Sequence, residues 1–279
     1  MYYKIGSLAK RFGITPQALR FYEQHGLLVP ERQQDGTARR YQARNLKWLY
    51  SIRRYHELGF SLDETLALFS CETPEALGRM VAEKQAETER ELESLTRRLK
   101  ALQRQEADLA LISRLLYRCE RSSMPQLWLL VDQTGQHIDF SQSLQREVQD
   151  WMLCLPWVYA ASVVESSALF DPEQTGTRKS GFCVEASVAS KIGLSPGAHA
   201  VSLGGGPAIH TVAVLCQQND VPRALFQHAL SFAEEQGLTI CGDIVGRCLA
   251  KTGESHCRED LCPQSVYYEY WLPIESVCP

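Results

Sequence analysis

Apolar residues return at intervals of three and four through the first 70 positions. In YKIGSLAKRFGI they are Ile5, Leu8, Ala9 and Phe12, one face of a helix that Gly13 can stop. Thr15 followed by Pro16 is a start signal, because the hydroxyl can accept from a free N–H of the new helix and proline has no N–H to leave unpaired. The next helix, PQALRFYEQHG, closes at Gly26. Helix, glycine turn, helix is the helix-turn-helix pattern, whose second helix lies in the major groove of DNA. Asp35-Gly36 then predicts a hairpin carrying Arg32, Arg39 and Arg40, which is a wing. ARNLKWLYSIRRYHELG is amphipathic, with Leu46, Leu49, Ile52 and Leu58 inward and Arg44, Lys47, Arg53 and Arg54 outward. Ser61 is the expected cap of a following helix.

From Thr73 to Arg121 no glycine or proline interrupts the chain after Pro74 and Gly78. Val81, Thr88, Leu95, Leu102, Leu109 and Leu116 recur every seven residues, with Leu92 and Leu99 between them. This is the a/d seam of a coiled coil, flanked by the charges usual at e and g positions. About 45 helical residues would span roughly 65 Å and need a partner, so the seam predicts a homodimer. Ser122, Ser123 and Pro125 mark its exit.

The remainder reads as two rounds of strand, helix, strand, strand. The first has a strand at 127–133, a helix at 143–154 and strands at 157–165 and 180–188. The second has a strand at 199–205, a helix at 222–237 and strands at 241–251 and 266–274. That order predicts an α+β domain with helices on a curved antiparallel sheet. The Gly204–Pro207 run lacks the Lys-Ser/Thr of a phosphate loop and reads as a turn between the halves.

Charge sharpens this division. The net charge of -4 conceals +5 over residues 1–70, zero over 71–121 and -9 over 122–279. A basic front end suits a polyanion, since cationic side chains on phosphates release counterions. The ten cysteines include no C-x-x-C pair; Cys257 and Cys262, with His256 beside the first, come nearest to a metal motif and read as thiols of a surface loop. Neither a metal nor another cofactor is expected. No apolar run is long enough for a membrane span and MYYKIGSLAKRFG is no signal peptide, so a cytoplasmic protein is expected.

KIGSLAKRFGITPQALRFYEQHGLLVPER, then RRY, then SIRRYHELGFSLDE, resemble the DNA-binding domain of the MerR family over residues 2 to about 70. The resemblance implies an all-α winged helix-turn-helix over 1–72, a dimerisation helix over 73–121 and a small-molecule-binding domain over 122–279. It implies DNA contacts by Gln17, Arg20, Phe21 and Tyr22 on the recognition helix, by Arg39, Arg40 and Tyr41 in the wing, and by Arg53 beyond it. Phe21 stands where the family carries tyrosine and so lacks one phosphate-binding hydroxyl, and His56 stands where relatives carry lysine. Packing of Tyr22 and Tyr41 in the domain core is the alternative for those two. The C-terminal half, with its YYEYWLPIE strand, is similar to the drug-sensing domain of BmrR-like regulators and the GyrI-like superfamily. The function implied is a ligand-responsive activator whose partners are double-stranded promoter DNA, RNA polymerase holoenzyme and a lipophilic or cationic effector.

The last strand suggests how such an effector is held. Alternation places Tyr267, Glu269 and Trp271 on one face and Val266, Tyr268, Tyr270 and Leu272 on the other. A carboxylate between aromatic rings suits a lipophilic cation, which gains cation–π contact and keeps its charge neutralised. Glu269 is the expected charge partner, Glu185 its rival, and Trp151, Trp157, Tyr159, Phe182, Tyr267 and Trp271 are the candidate walls. Glu269 on the solvated outer face is the competing possibility. No catalytic constellation can be placed, so no enzyme is expected. Two other readings stay open: metal or redox sensing through Cys119 at the far end of the long helix, and hydrolysis of a small molecule with Glu269 as general base.

Overall fold

The Thr15 hydroxyl accepts from the Ala18 N–H at 3.1 Å, and the helix that begins at Pro16 owes its start to that bond. The computed structural model describes residues 2–32, 39–170, 176–215, 220–221, 223–253 and 265–275. Contacts divide the chain into two units, Met1–Thr96 and Arg97–Pro279.

The first unit holds β1 (Tyr2–Tyr3), α1 (Ile5–Phe12), α2 (Pro16–Gln24), β2 (Glu31–Arg32), β3 (Arg39–Gln42), α3 (Ala43–Glu57), α4 (Leu62–Phe69) and the start of α5 (Pro74–Leu115). Gly13 closes α1 in the left-handed region, at φ 63°, which a glycine enters without a Cβ penalty. The unit is not purely helical, because β1 pairs with β3, and β3 with β2, in a three-stranded sheet. The expected Asp35-Gly36 turn lies outside the described residues. Leu8, Ala9, Leu19, Leu28, Tyr41 and Leu49 form the core. Ser61 caps α4 reciprocally: its hydroxyl accepts from the Glu64 N–H, and the Glu64 carboxylate accepts from the Ser61 N–H at 2.6 Å. Leu58, expected inward, is 53% exposed, because α3 gives way at that residue to the Gly59 turn.

Helix α5 is 42 residues long and ends at Leu115, short of the expected Arg121. Leu116 bridges to Val212, and Cys119–Ser123 forms a strand, β4, so Cys119 sits in the sheet and not on the helix. Along α5, Val81, Leu92, Leu95, Leu99, Leu102 and Leu109 are exposed by 40–67%.

The second unit adds β5 (Leu127–Thr134), β6 (His137–Ile138), α6 (Gln142–Met152), β7 (Tyr159–Val164), α7 (Ser167–Phe170), β8 (Gly176–Glu185), α8 (Ala186–Ile192), β9 (Ala200–Leu203), β10 (Pro207–Leu215), β11 (Asp220–Val221), α9 (Gln227–Glu235), β12 (Ile244–Thr252) and β13 (Ser265–Pro273). Its antiparallel sheet runs β4-β10-β13-β12-β7-β8-β5-β6, with β9 on β5 and β11 on β8. The β5-α6-β7-β8 and β10-α9-β12-β13 segments meet at the β7–β12 pairing. The strand expected at 199–205 is only the short edge strand β9. The full strand beside β13 is β10, beyond the Gly204–Gly206 turn. The strand expected to reach Val188 stops at Glu185, where α8 begins.

Side-chain alternation divides this sheet into two faces. One carries α6, through Trp151, and α8 over Leu130 and Val184, and α9 over Ile209, Val266, Tyr268, Tyr270 and Leu272. On the other face the last turns of α5 lie over Val212 and Leu249, through Leu111, Ile112 and Leu115. Gly181 permits the close approach of β8 to β5: a Cβ there would stand 2.0 Å from the Leu130 carbonyl oxygen.

Candidate functional site

In the first unit, α2 presents Gln17, Arg20 and Phe21 to solvent, while Leu19 on its other side is buried and Tyr22 packs against the core. Phe21 is 47% exposed and its ring leans on His25, with centroids 4.1 Å apart. Arg40 is half-buried on β3 opposite Glu31, and Arg39 pairs in register with Arg32. Arg53 is held at 3.1 Å by Glu57 one turn on. Tyr41 corrects the expectation of a wing contact. It is fully buried, its hydroxyl donating to Glu23 of α2, so it offers DNA no surface and ties the wing to the recognition helix.

In the second unit, the α5-covered face of the sheet gathers a polar cluster around Arg247 of β12. Its Nε donates to Glu269, its Nη1 donates to Glu185 at 2.9 Å, and its Nη2 stands 3.8 Å from Asp108 of α5. The guanidinium also lies 5.0 Å from the Tyr159 ring centre and 5.4 Å from that of Trp271. Three carboxylates and two aromatic faces therefore surround one cation. Arg104 of α5 donates to Glu185 and to the Tyr159 hydroxyl, which donates in turn to Asp108 at 2.7 Å. His210 of β10 links the cluster to β4: Nε2 is 2.7 Å from Glu269, Nδ1 is 3.0 Å from Glu120, and its ring stacks on Trp271. Arg114 closes the chain of charges on Glu120.

Burial works against every charge here, and pairing decides the outcome. Burial opposes the charge of Glu185, but the hydrogen bond and charge of Arg104 and the charge of Arg247 outweigh it and hold the carboxyl below its usual range. Asp108 goes the other way, raised by burial despite its Tyr159 hydrogen bond and two arginines. Burial, then the Asp108 bond, pushes the Tyr159 hydroxyl up to about 12. Arg247 is desolvated too, yet Glu269, Asp108 and Glu185 keep it firmly protonated.

Of the residues singled out in the sequence, Glu269, Glu185, Tyr159 and Trp271 meet at this cluster, and Tyr267 shares their strand face. Trp151 and Phe182 do not. They lie on the opposite face, Trp151 of α6 fully buried and Phe182 packed against the same core. Trp157 is half-buried in the turn before β7, its backbone N–H donating to the Cys154 carbonyl. Glu269 is not solvated, at 3% exposure, and its carboxylate is already occupied by Arg247 and His210. Arg247, His210, Asp108 and Arg104 were missed. The one usable signal was a lone arginine inside the apolar strand DIVGRCLA. Among the described residues, no group of three or more His, Cys, Asp or Glu is placed to hold a metal ion; Cys257, Cys262 and His256 lie outside them.

Residues 3–68 match the family described as MerR HTH family regulatory protein. The HTH-type transcriptional regulator CueR of Escherichia coli O157:H7 is 34% identical over 96 residues, covering 33% of this chain and 71% of CueR. The chain belongs to the MerR HTH family. A second MerR-type relative, the HTH-type transcriptional activator TipA of Streptomyces coelicolor, is 36% identical over 107 residues, which are 38% of this chain and 39% of TipA. The match thus spans about two-fifths of TipA's length. Among solved structures, the cryo-EM structure of the EcmrR-DNA complex aligns with 99% of this chain and 100% of its own, at 16% identity and a TM-score of 0.33, too distant to argue from. No helix among the described residues is long and apolar enough to cross a membrane.

Proposed function

We propose that this MerR-family chain is a dimeric, ligand-responsive transcription regulator, most simply an activator. The N-terminal unit grips double-stranded promoter DNA. Gln17 and Arg20 face the groove from α2, Phe21 and Tyr22 lie beside them, and Arg39, Arg40 and Arg53 approach the backbone, fixing register more than reading bases. The exposed leucines of α5, spaced by three and four, supply the seam for a second copy. The C-terminal unit is a GyrI-like sensor built from two strand-helix-strand-strand repeats. Effector binding there biases a DNA distortion that realigns promoter elements for RNA polymerase.

The observation that carries the sensor reading is the guanidinium of Arg247 between Tyr159 and Trp271, with Glu269, Glu185 and Asp108 around it. A site that holds an arginine side chain this way has the chemistry to hold a lipophilic cation. Arg247 is then a resident stand-in that an effector displaces, with Glu269 as the partner of whichever cation is present. Metal or redox sensing through Cys119 is the weaker reading, since that residue lies on β4 and not at the end of the long helix, and burial raises its thiol.

The test is a mobility-shift titration on promoter fragments with and without a cationic dye such as rhodamine 6G. Arg20→Ala should weaken DNA binding at least tenfold and lower the slope of log K against log salt by about one. Binding by Arg20→Ala equal to the parent would overturn the DNA assignment. Dye that leaves both DNA mobility and transcription unchanged would overturn the sensor assignment.

A further inference from the structure

We propose a second small-molecule site, for a carboxylate, on the helix-bearing face of the C-terminal sheet and so separate from the Arg247 cluster. A cavity of about 270 Å³ opens there between the α6/α8 core and the α9 core, where the two halves of the sheet meet. This is near the small end of ligand pockets, which run from roughly 300 to 1,000 Å³. Its lining includes Arg178, Ser180 and Phe182 of β8, Asp132 and Gln133 of β5, and Tyr268 of β13.

Hydrogen-bond donors gather around Arg178 in this cavity, and Asp132 is the acid among its lining residues. Arg178 donates Nε to the Ser162 hydroxyl at 3.1 Å and Nη2 to the Tyr268 hydroxyl at 3.0 Å. Both partners are neutral, and among the described side chains no carboxylate pairs with Arg178 and its remaining N–H groups have no partner. Its guanidinium lies 5.5 Å from the Tyr268 ring centre. The Tyr268 hydroxyl, having accepted from Arg178, keeps a proton to donate. Behind it the Tyr270 hydroxyl is buried beside Ser162, close enough to Arg178 to feel its charge. Buried donors of this kind are costly to leave unmade.

Two other titratable groups face this region. Asp132, whose carboxyl burial pushes up, lines the β5 side of the cavity. The Cys248 thiol, likewise raised by burial, stays protonated. A guanidinium fork matches a planar carboxylate at two points, and Phe182 and Tyr268 offer apolar surface to a small ring. The geometry therefore points to a small aromatic carboxylate, of about the size of benzoate.

The experiment is calorimetric titration of the full-length protein with benzoate at pH 7, beside benzyl alcohol as the uncharged analogue. Saturable binding of benzoate and none of the alcohol is expected. Arg178→Gln should weaken benzoate at least tenfold, and Tyr268→Phe, which keeps the ring, several-fold. Circular dichroism checks that each variant folds, and Tyr268→Phe decides the matter if Arg178→Gln does not. Equal binding by a folded variant, or no saturation by the parent up to about 10 mM, overturns the proposal. Neither result bears on the Arg247 cluster, which faces the other way.

Discussion

Arg247 and Glu269 stand side by side on neighbouring strands, paired in register, and the guanidinium Nε donates to the carboxylate. Both are nearly excluded from water. Removing one member strands the other, at a cost of about 3–5 kcal/mol, whereas removing both is far milder. Arg247→Met should therefore lower the melting temperature markedly, and Arg247→Met/Glu269→Gln should recover most of the loss. On the proposed cation reading, the single variant should bind rhodamine 6G at least tenfold more tightly in a fluorescence titration. Unchanged affinity would show that Arg247 does not occupy the effector's place.

Glu185 gives the cluster an acid-sensitive edge. Its carboxyl is held below the ordinary value of 4.5, so the folded state binds that proton more weakly than the unfolded chain. The resulting stabilisation is complete above pH 4.5 and fades as pH falls through the lower folded value. Denaturant unfolding across pH 3–6 should show this loss, and Glu185→Gln should flatten it. Asp108, shifted upward, acts oppositely and favours folding as pH falls through the window above 3.8.

The seam on α5 makes a separate forecast. Leu99→Glu/Leu102→Glu places two charges where both leucines are more than half exposed, so the isolated chain should keep its fold. On the proposed seam, light scattering should then report a dimer for the parent and a monomer for the variant, and operator affinity should fall with it. A dimer of undiminished strength would remove the seam from the account.

How much of this was legible beforehand depended on sequence distance. The Thr15 and Ser61 caps, the Gly13 stop and the heptad leucines are local signals, and each works within a few residues. The face shared by Glu269 and Trp271 followed from strand alternation alone. What surrounds them did not, because Arg247 lies 22 residues from Glu269 and 62 from Glu185, at separations that no period encodes. Asp108 and Arg104 were concealed differently, since both read as ordinary solvent charges of a coiled coil until the sheet covered them. Strand β10 escaped because the weaker pattern before the glycine run drew the assignment one segment too early.

Gly181 is a simpler test of the sheet. Its missing side chain leaves room for the Leu130 carbonyl, and any Cβ would collide with backbone that has no free end to move. Gly181→Ala should destabilise the C-terminal domain by about 2–4 kcal/mol, visible in urea unfolding. A loss under about 0.5 kcal/mol would mean the strands can separate there without penalty.

At the other end of the chain, Thr15→Ala should cost about 1 kcal/mol by leaving the Ala18 N–H uncapped. Hydrogen exchange at the start of α2 is the sensitive reporter.

On the proposed DNA contacts, the buried Tyr41 hydroxyl on Glu23 has a bearing on how promoters are told apart. Because β3 and α2 are latched to one another inside the core, they form a gauge of fixed width. A duplex whose grooves do not match that width must itself be reshaped, so sequences that yield easily would be favoured even at base pairs no side chain reaches.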